Sequence, residues 1–178
     1  MKTIHVPSRE QVSEASGEIF DAISKKLGKV PNLFATIGYS SDALKGFLDF
    51  EASFNHSGFN AKEREAINLV VSQVNSCDYC LAAHTMLAKM KGFDDSQIIG
   101  FRKGIADDKK LETALQLAIS IAENKGNASD DAKDKFFEAG YDEKALIDLI
   151  GIVSVRTFTN YVFATTKIPV DFPAAPTL

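Results

Sequence analysis

Two cysteines, three histidines, five prolines and no tryptophan are the scarce residues of this 178-residue chain. So few cysteines exclude a disulfide framework, and a chain of this length buries enough apolar surface to fold without staples or structural metal. No apolar stretch runs uninterrupted for the ~20 residues of a membrane span. Positive charge is not in excess either. The formal net charge is -4, which argues against a nucleic-acid partner held through its phosphates. Met1 to Glu10 contains no apolar core of a secretory signal, so the reducing cytoplasm is the expected compartment. Low-complexity tracts are absent and strand signals are thin. The β-branched run Ile150 to Val155 sits inside a longer helical pattern and reads as buried helix.

What is present is helical. The chain is 45% hydrophobic and 25% charged, an ordinary globular balance, and reads as one domain over 1–178 with a catalytic core at about 60–104. Ser8 is placed to cap a first helix carrying Val12, Phe20, Ile23 and Leu27, closed by Gly28. Pro31 opens a short apolar segment to Gly38, and Ser41 caps a helix holding Leu44, Phe47 and Leu48. Asn60 caps a strong helix to Val74, with Glu63 three residues on in capping-box position. Asn75 and Ser76 break it, and the next helix runs from Cys77 to Met90. Further helices start near Asp94, Asp108, Ser129 and Asp142, the last reaching Ala164. The expected fold is therefore all-α, with about seven to nine helices and a degenerate repeat of a helix pair followed by a shorter helix, from Asn60 and again from Ala106. The tail, Pro169 to Leu178, holds three of the five prolines and reads as extended.

The chemistry concentrates in one stretch: Glu65, eleven residues, then Cys77-x-x-Cys80-x-x-x-His84. At i, i+3 and i+7 the two thiols and the imidazole share one helix face. Helical i, i+3 Cα atoms lie about 5–5.5 Å apart, inside the disulfide window, so the pair can cycle between dithiol and disulfide with little backbone movement. The start of a helix favours thiolate over thiol, an effect read as stronger on Cys77 than on Cys80. His84 leans back toward Cys80 and can take its proton, directly or through a water. A tight turn at Asn75–Ser76 would return Glu65 to the same cluster, where a carboxylate can orient His84. Zinc is the competing use of two Cys, one His and one Glu, but three of these lie on one helix and no second Cys pair exists. No metal or other cofactor is expected.

Residues Arg64 to Phe93, with the pattern Glu-x11-Cys-x-x-Cys-x3-His, resemble the alkylhydroperoxidase D-like family of the carboxymuconolactone decarboxylase superfamily. The ending Thr159 to Pro173 is similar to that family's peroxidase-related branch. The resemblance implies an all-helical fold, assembly into trimers or hexamers, and reduction of organic hydroperoxides by the thiol pair. It implies Cys80 as the attacking cysteine, Cys77 as the resolving one, His84 as the base and Glu65 as the proton relay, with a dithiol reductant of lipoyl or thioredoxin type. Where the best-characterised branch has a histidine before the attacking cysteine, this chain has Tyr79, a poor base near neutral pH but a capable hydrogen-bond donor. The alternative functions are a CxxC disulfide oxidoreductase acting on a partner protein, or a redox-sensing or zinc-binding module. Phe34, Phe47, Phe50, Phe54, Phe158 and Phe163 are candidates to line an apolar pocket. Asn160 matches a frequent asparagine of the family's last helix and has no assigned role. His5 and His56 read as surface residues.

Overall fold

The computed structural model describes residues 3–178; Met1 and Lys2, the first residues of the stretch read as lacking a signal, lie outside them. Among the described residues there are nine α-helices and no strand. They are α1 (Glu14–Leu27), α2 (Asn32–Ile37), α3 (Ser41–Ser53), α4 (Ala61–Val74), α5 (Asp78–Met90), α6 (Asp95–Arg102), α7 (Lys109–Glu123), α8 (Asp130–Glu138) and α9 (Glu143–Thr166).

The caps decide where these elements begin. Asn60 accepts from the Lys62 and Glu63 amides while Glu63 returns a bond to the Asn60 N–H, so asparagine serves the capping box. Two starts before α4 differ from the sequence expectation. Ser8 caps only a short 3-10 turn, and Ser13 caps α1, which leaves Val12 outside the helix. In α3 the capping oxygen belongs to Ser40, one residue earlier than expected. Ser8 spends its cap on the 3-10 turn, and in α3 two adjacent serines compete, Ser40 winning because its side chain reaches the Ala43 amide at N3. The expected repeat is not followed, because the elements after α6 run long, short, longest.

Helix α4 is the hub, packed against α5, α6, α7 and α9. Every residue from Glu65 to Ser72 is buried, so α4 has no wet face and its polar side chains must find partners inside the protein. Ser76 adopts a left-handed conformation (φ 51°), and the Ser76 and Cys77 amides donate back to Gln73 and Ser72 carbonyls. This tight reversal lays α5 against α4.

Helix α9, at 24 residues, is long and apolar enough to cross a bilayer by length and composition alone, a property the sequence reading missed. It packs instead against α2, α3, α4, α5 and α7 and carries the buried Arg156. A lone charge inside a packed helix needs partners on its neighbours.

Candidate active site

The α4–α5 reversal brings all four sequence-predicted site residues together, each buried. Cys77 is the N-cap of α5 rather than its first residue: its Sγ accepts from the Cys80 N–H at 3.3 Å. The two sulfurs are 2.6 Å apart and both thiols are free. Closing a disulfide at about 2.05 Å therefore needs a small shift of the sulfurs alone.

The electrostatics separate the two thiols in the direction opposite to the helix-end expectation. Cys80 is held below the ordinary thiol range, chiefly by the hydrogen bond from the Cys77 thiol and against the pull of burial. The Arg156 and His84 charges and the Asn160 side chain add to the lowering. Cys77 is pushed up, first by donating to Cys80 and then by burial. The helix-start amide of Cys80 reaches the Cys77 sulfur, but the Cys77 thiol's own hydrogen bond to Cys80, with the charges on the Cys80 side, outweighs it and makes Cys80 the thiol that ionises.

His84 Nδ1 bonds Glu65 Oε1, and Lys91 Nζ holds the other Glu65 oxygen at 3.1 Å. Burial alone would raise the Glu65 carboxyl; the charges and hydrogen bonds of His84 and Lys91 outweigh it and hold it at about 2. Of the two routes expected from His84 to Cys80, direct or through a water, the direct hydrogen bond is not formed among the described residues. Besides Cys77, the Cys80 sulfur meets Thr159 Oγ1 at 3.9 Å. With Nδ1 on Glu65, the His84 ring acts on Cys80 through its charge, or through a water bridging from Nε2. No three His, Cys, Asp or Glu side chains among the described residues converge as a ligand set.

Helix α9 supplies the wall that sequence reasoning left out. Arg156 donates through Nε to Asn68 Oδ1 at 3.1 Å, through Nη1 to Thr159 Oγ1 at 3.2 Å, and through Nη2 to both Glu51 oxygens at 3.2 and 3.3 Å. One signal could have found it: Arg156 is the only charged residue between Leu149 and Thr166. A single charge in an apolar helix marks a buried pairing partner. Lys91 and Asp171 gave no comparable signal.

A cavity of about 600 Å³ opens beside Cys80 and His84, lined mainly by apolar side chains including Phe34, Phe47, Leu87 and Phe172, with Arg156 among its polar groups. That volume takes a small organic molecule. Cys77 is not part of the lining. Of the six phenylalanines expected around a pocket, only Phe34 and Phe47 contribute. Phe54 packs between α3 and α9, Phe163 lies against Tyr79, and Phe50 and Phe158 face outward. Tyr79 donates to Asp171 Oδ1 at 2.6 Å and accepts from the Leu33 N–H at 3.1 Å. Burial, and next that bond, push its phenol further up, so Tyr79 fastens the C-terminal tail and takes no part in moving protons near neutral pH.

Residues 41–124 match the carboxymuconolactone decarboxylase family. An uncharacterised protein of Bacillus subtilis (strain 168), YdfG, is 27% identical over 116 residues, which is 64% of this chain and 79% of that protein. Among solved structures, an uncharacterised peroxidase-related protein of Silicibacter sp. TM1040 superposes with a TM-score of 0.80 at 20% identity, covering 97% of this chain and 91% of the other. The debrominase Bmp8, in complex with 2,3,4-tribromopyrrole, superposes with a TM-score of 0.79 at 19% identity, covering 96% and 93%. At these identities the two solved structures share the fold with this chain.

Proposed function

We propose that this chain, whose residues 41–124 match the carboxymuconolactone decarboxylase family, is a thiol-dependent peroxidase that reduces organic hydroperoxides through a Cys77/Cys80 dithiol–disulfide cycle. The observation that carries this reading is an asymmetry. Cys80 alone lines the apolar cavity, its thiol is the one held low, and its partner sulfur is 2.6 Å away. A nucleophile must be ionised and reachable, and a resolving thiol must be close enough to attack the sulfenic sulfur once it gives up its proton.

In the cycle, the Cys80 thiolate attacks the terminal peroxide oxygen and the O–O bond breaks. The sulfur becomes a sulfenic acid, and the departing alkoxide takes a proton relayed by the His84–Glu65 pair and leaves as an alcohol. The Cys77 sulfur then displaces hydroxide from the sulfenic sulfur, forming the disulfide and water. A dithiol donor of lipoyl or thioredoxin type reduces the disulfide and is itself oxidised. The homo-oligomer that the family resemblance implies, and the cytoplasmic setting expected from the N-terminal sequence, belong to the same proposal.

The test is consumption of cumene hydroperoxide with dihydrolipoamide as reductant. Wild type should turn over, with a rate that rises with pH as the Cys80 thiolate forms, and Cys80→Ser should lose at least a hundredfold. Cys77→Ser should stop after one turnover with a sulfenic acid that dimedone traps. Unchanged turnover in Cys80→Ser would overturn the proposal. So would a wild type that forms the Cys77–Cys80 disulfide on oxidation yet consumes no peroxide. That second result points to disulfide exchange with a protein partner.

A further inference from the structure

Asn160 lies on α9 one turn after Arg156 and next to Thr159, whose Oγ1 is 3.9 Å from the Cys80 sulfur. It is only 1% exposed. Its Oδ1 accepts from Asn75 Nδ2 at 2.9 Å, and Asn75 is the C-cap of α4, two residues before Cys77. That bond occupies the oxygen end of the amide. It turns Nδ2 away from Asn75, and Nδ2 is a buried donor with no hydrogen-bond partner. Buried amide donors are nearly always paired, so an unpaired one beside a reactive centre needs a reason.

Resting on the dithiol reading above, we propose that Asn160 is the hydrogen-bond donor that holds the Cys80 thiolate, with Asn75 positioning its amide. A neutral thiol sulfur is a weak acceptor, so Nδ2 gains little while the pair is fully protonated. A thiolate is a strong acceptor, and the amide then finds its partner. The preference is built in: Nδ2 gains a strong acceptor only after one thiol has lost its proton. In keeping with this placement, the Asn160 side chain acts to lower both cysteines.

The surrounding charges are accounted for by other residues. Arg156 faces Cys80 from α9, with Glu51 of α3 behind it. His84 faces it from α5, backed by Glu65 of α4 and by Lys91. Tyr79, Asp171 and Lys29 stand at the cavity mouth. Asn160 is uncharged, so removing its donor leaves all of these in place.

The test reads the thiolate itself and not the peroxidase reaction. The rate of Cys80 alkylation by iodoacetamide is followed against pH by mass spectrometry; Cys77, outside the cavity lining, is resolved as a separate peptide label. In wild type the midpoint should lie below the free-thiol value of about 8.5. Asn160→Leu, close in size and without a donor, should raise the midpoint by about one pH unit and slow alkylation at pH 6.5 about tenfold. Asn160→Asp, which replaces the donor with an acceptor, should raise it further. An unmoved midpoint in folded Asn160→Leu overturns the proposal, even where that variant is less stable. Should Asn160→Leu not fold, Asn75→Ala releases the amide without touching it, and a midpoint raised by a smaller amount supports the proposal, while an unmoved one overturns it. Because no peroxide is present, failure of the peroxidase reading and failure of this inference give different results.

Discussion

Glu65 carries a negative charge in the middle of a helix with no face on water. It is tolerated because its two oxygens are taken, one by His84 and one by Lys91. The sign of its pH effect follows from the direction of its shift. Its carboxyl titrates near 2 in the folded protein against 4.5 ordinarily, so the pair's stabilisation is present above about pH 4.5 and is lost as pH falls toward 2. Between pH 6 and pH 3 the loss from this one group should be about 2 kcal/mol. Urea unfolding at the two pH values should show that loss in wild type and a flatter dependence in Glu65→Gln. Equal pH dependence in the two proteins would mean that the carboxylate is not held as an ion. At this scale the sequence was most informative for residues close in the chain. Cys77, Cys80 and His84 meet because helical spacing puts them on one face, and Glu65 joins them because Asn75–Ser76 forces a reversal. Lys91, Asp171 and the pairing of Arg156 were not legible, because no local period reports which surface a distant side chain will meet.

Helices α3 and α9 approach closely because of one glycine. A Cβ built on Gly151 would lie 2.4 Å from Phe54 Cζ and 2.7 Å from Cε1. That ring is buried and packed against Phe50 at 4.9 Å, so it has little room to yield. The contact keeps α3 near α9 and with it the Glu51 carboxylate on Arg156. Gly46, in the interior of α3, has nothing within 4 Å of its would-be Cβ. The two substitutions should therefore have opposite signs. Gly46→Ala gains helix propensity alone and should stabilise by about 1 kcal/mol. Gly151→Ala gains the same but overpacks, at a cost of about 1–3 kcal/mol, for a net loss. Thermal unfolding resolves both, at roughly 2–4 °C per kcal/mol for a chain of this size. Stabilisation by Gly151→Ala would show that the α3–α9 contact is slack. Helix existence was readable element by element from caps and apolar stripes. The mutual placement of α3 and α9 was not, since a glycine inside a helical pattern does not say whether it marks a close crossing or an open face.

Over the whole molecule, the segment after α1 and the C-terminal tail meet across the cavity. Lys29 Nζ bonds the Asp171 carbonyl and carboxylate at 2.9 and 2.7 Å, Asn32 Nδ2 bonds the Pro169 carbonyl at 3.1 Å, and Arg102 holds the Pro176 carbonyl. Phe172 packs edge-on against Tyr79, with ring centroids 5.5 Å apart. The sequence reading of an extended tail agrees with the absence of helix after Thr166. A proline-rich tail has no period, however, and nothing in it pointed to the partners that bind it down. Asp171 is the central tie, since its side chain holds both Lys29 and the Tyr79 hydroxyl. The Lys29 bond is half exposed and weak in water, so most of the hold comes from the part-buried Tyr79 hydrogen bond to a carboxylate, about 1.5–3 kcal/mol. Asp171→Ala should let the tail lift far more often, a local opening rather than global unfolding. A bulky disulfide reagent such as dithiobis(nitrobenzoate), which must pass the tail to reach Cys80, should then react on the order of tenfold faster. Iodoacetamide, small enough to enter the cavity with the tail in place, should react at nearly its wild-type rate. If both reagents speed up alike, the substitution has altered Cys80 itself; if neither does, the tail does not limit entry. A selective gain for the large reagent would make the tail the element that sets how large a molecule the thiol pair can receive.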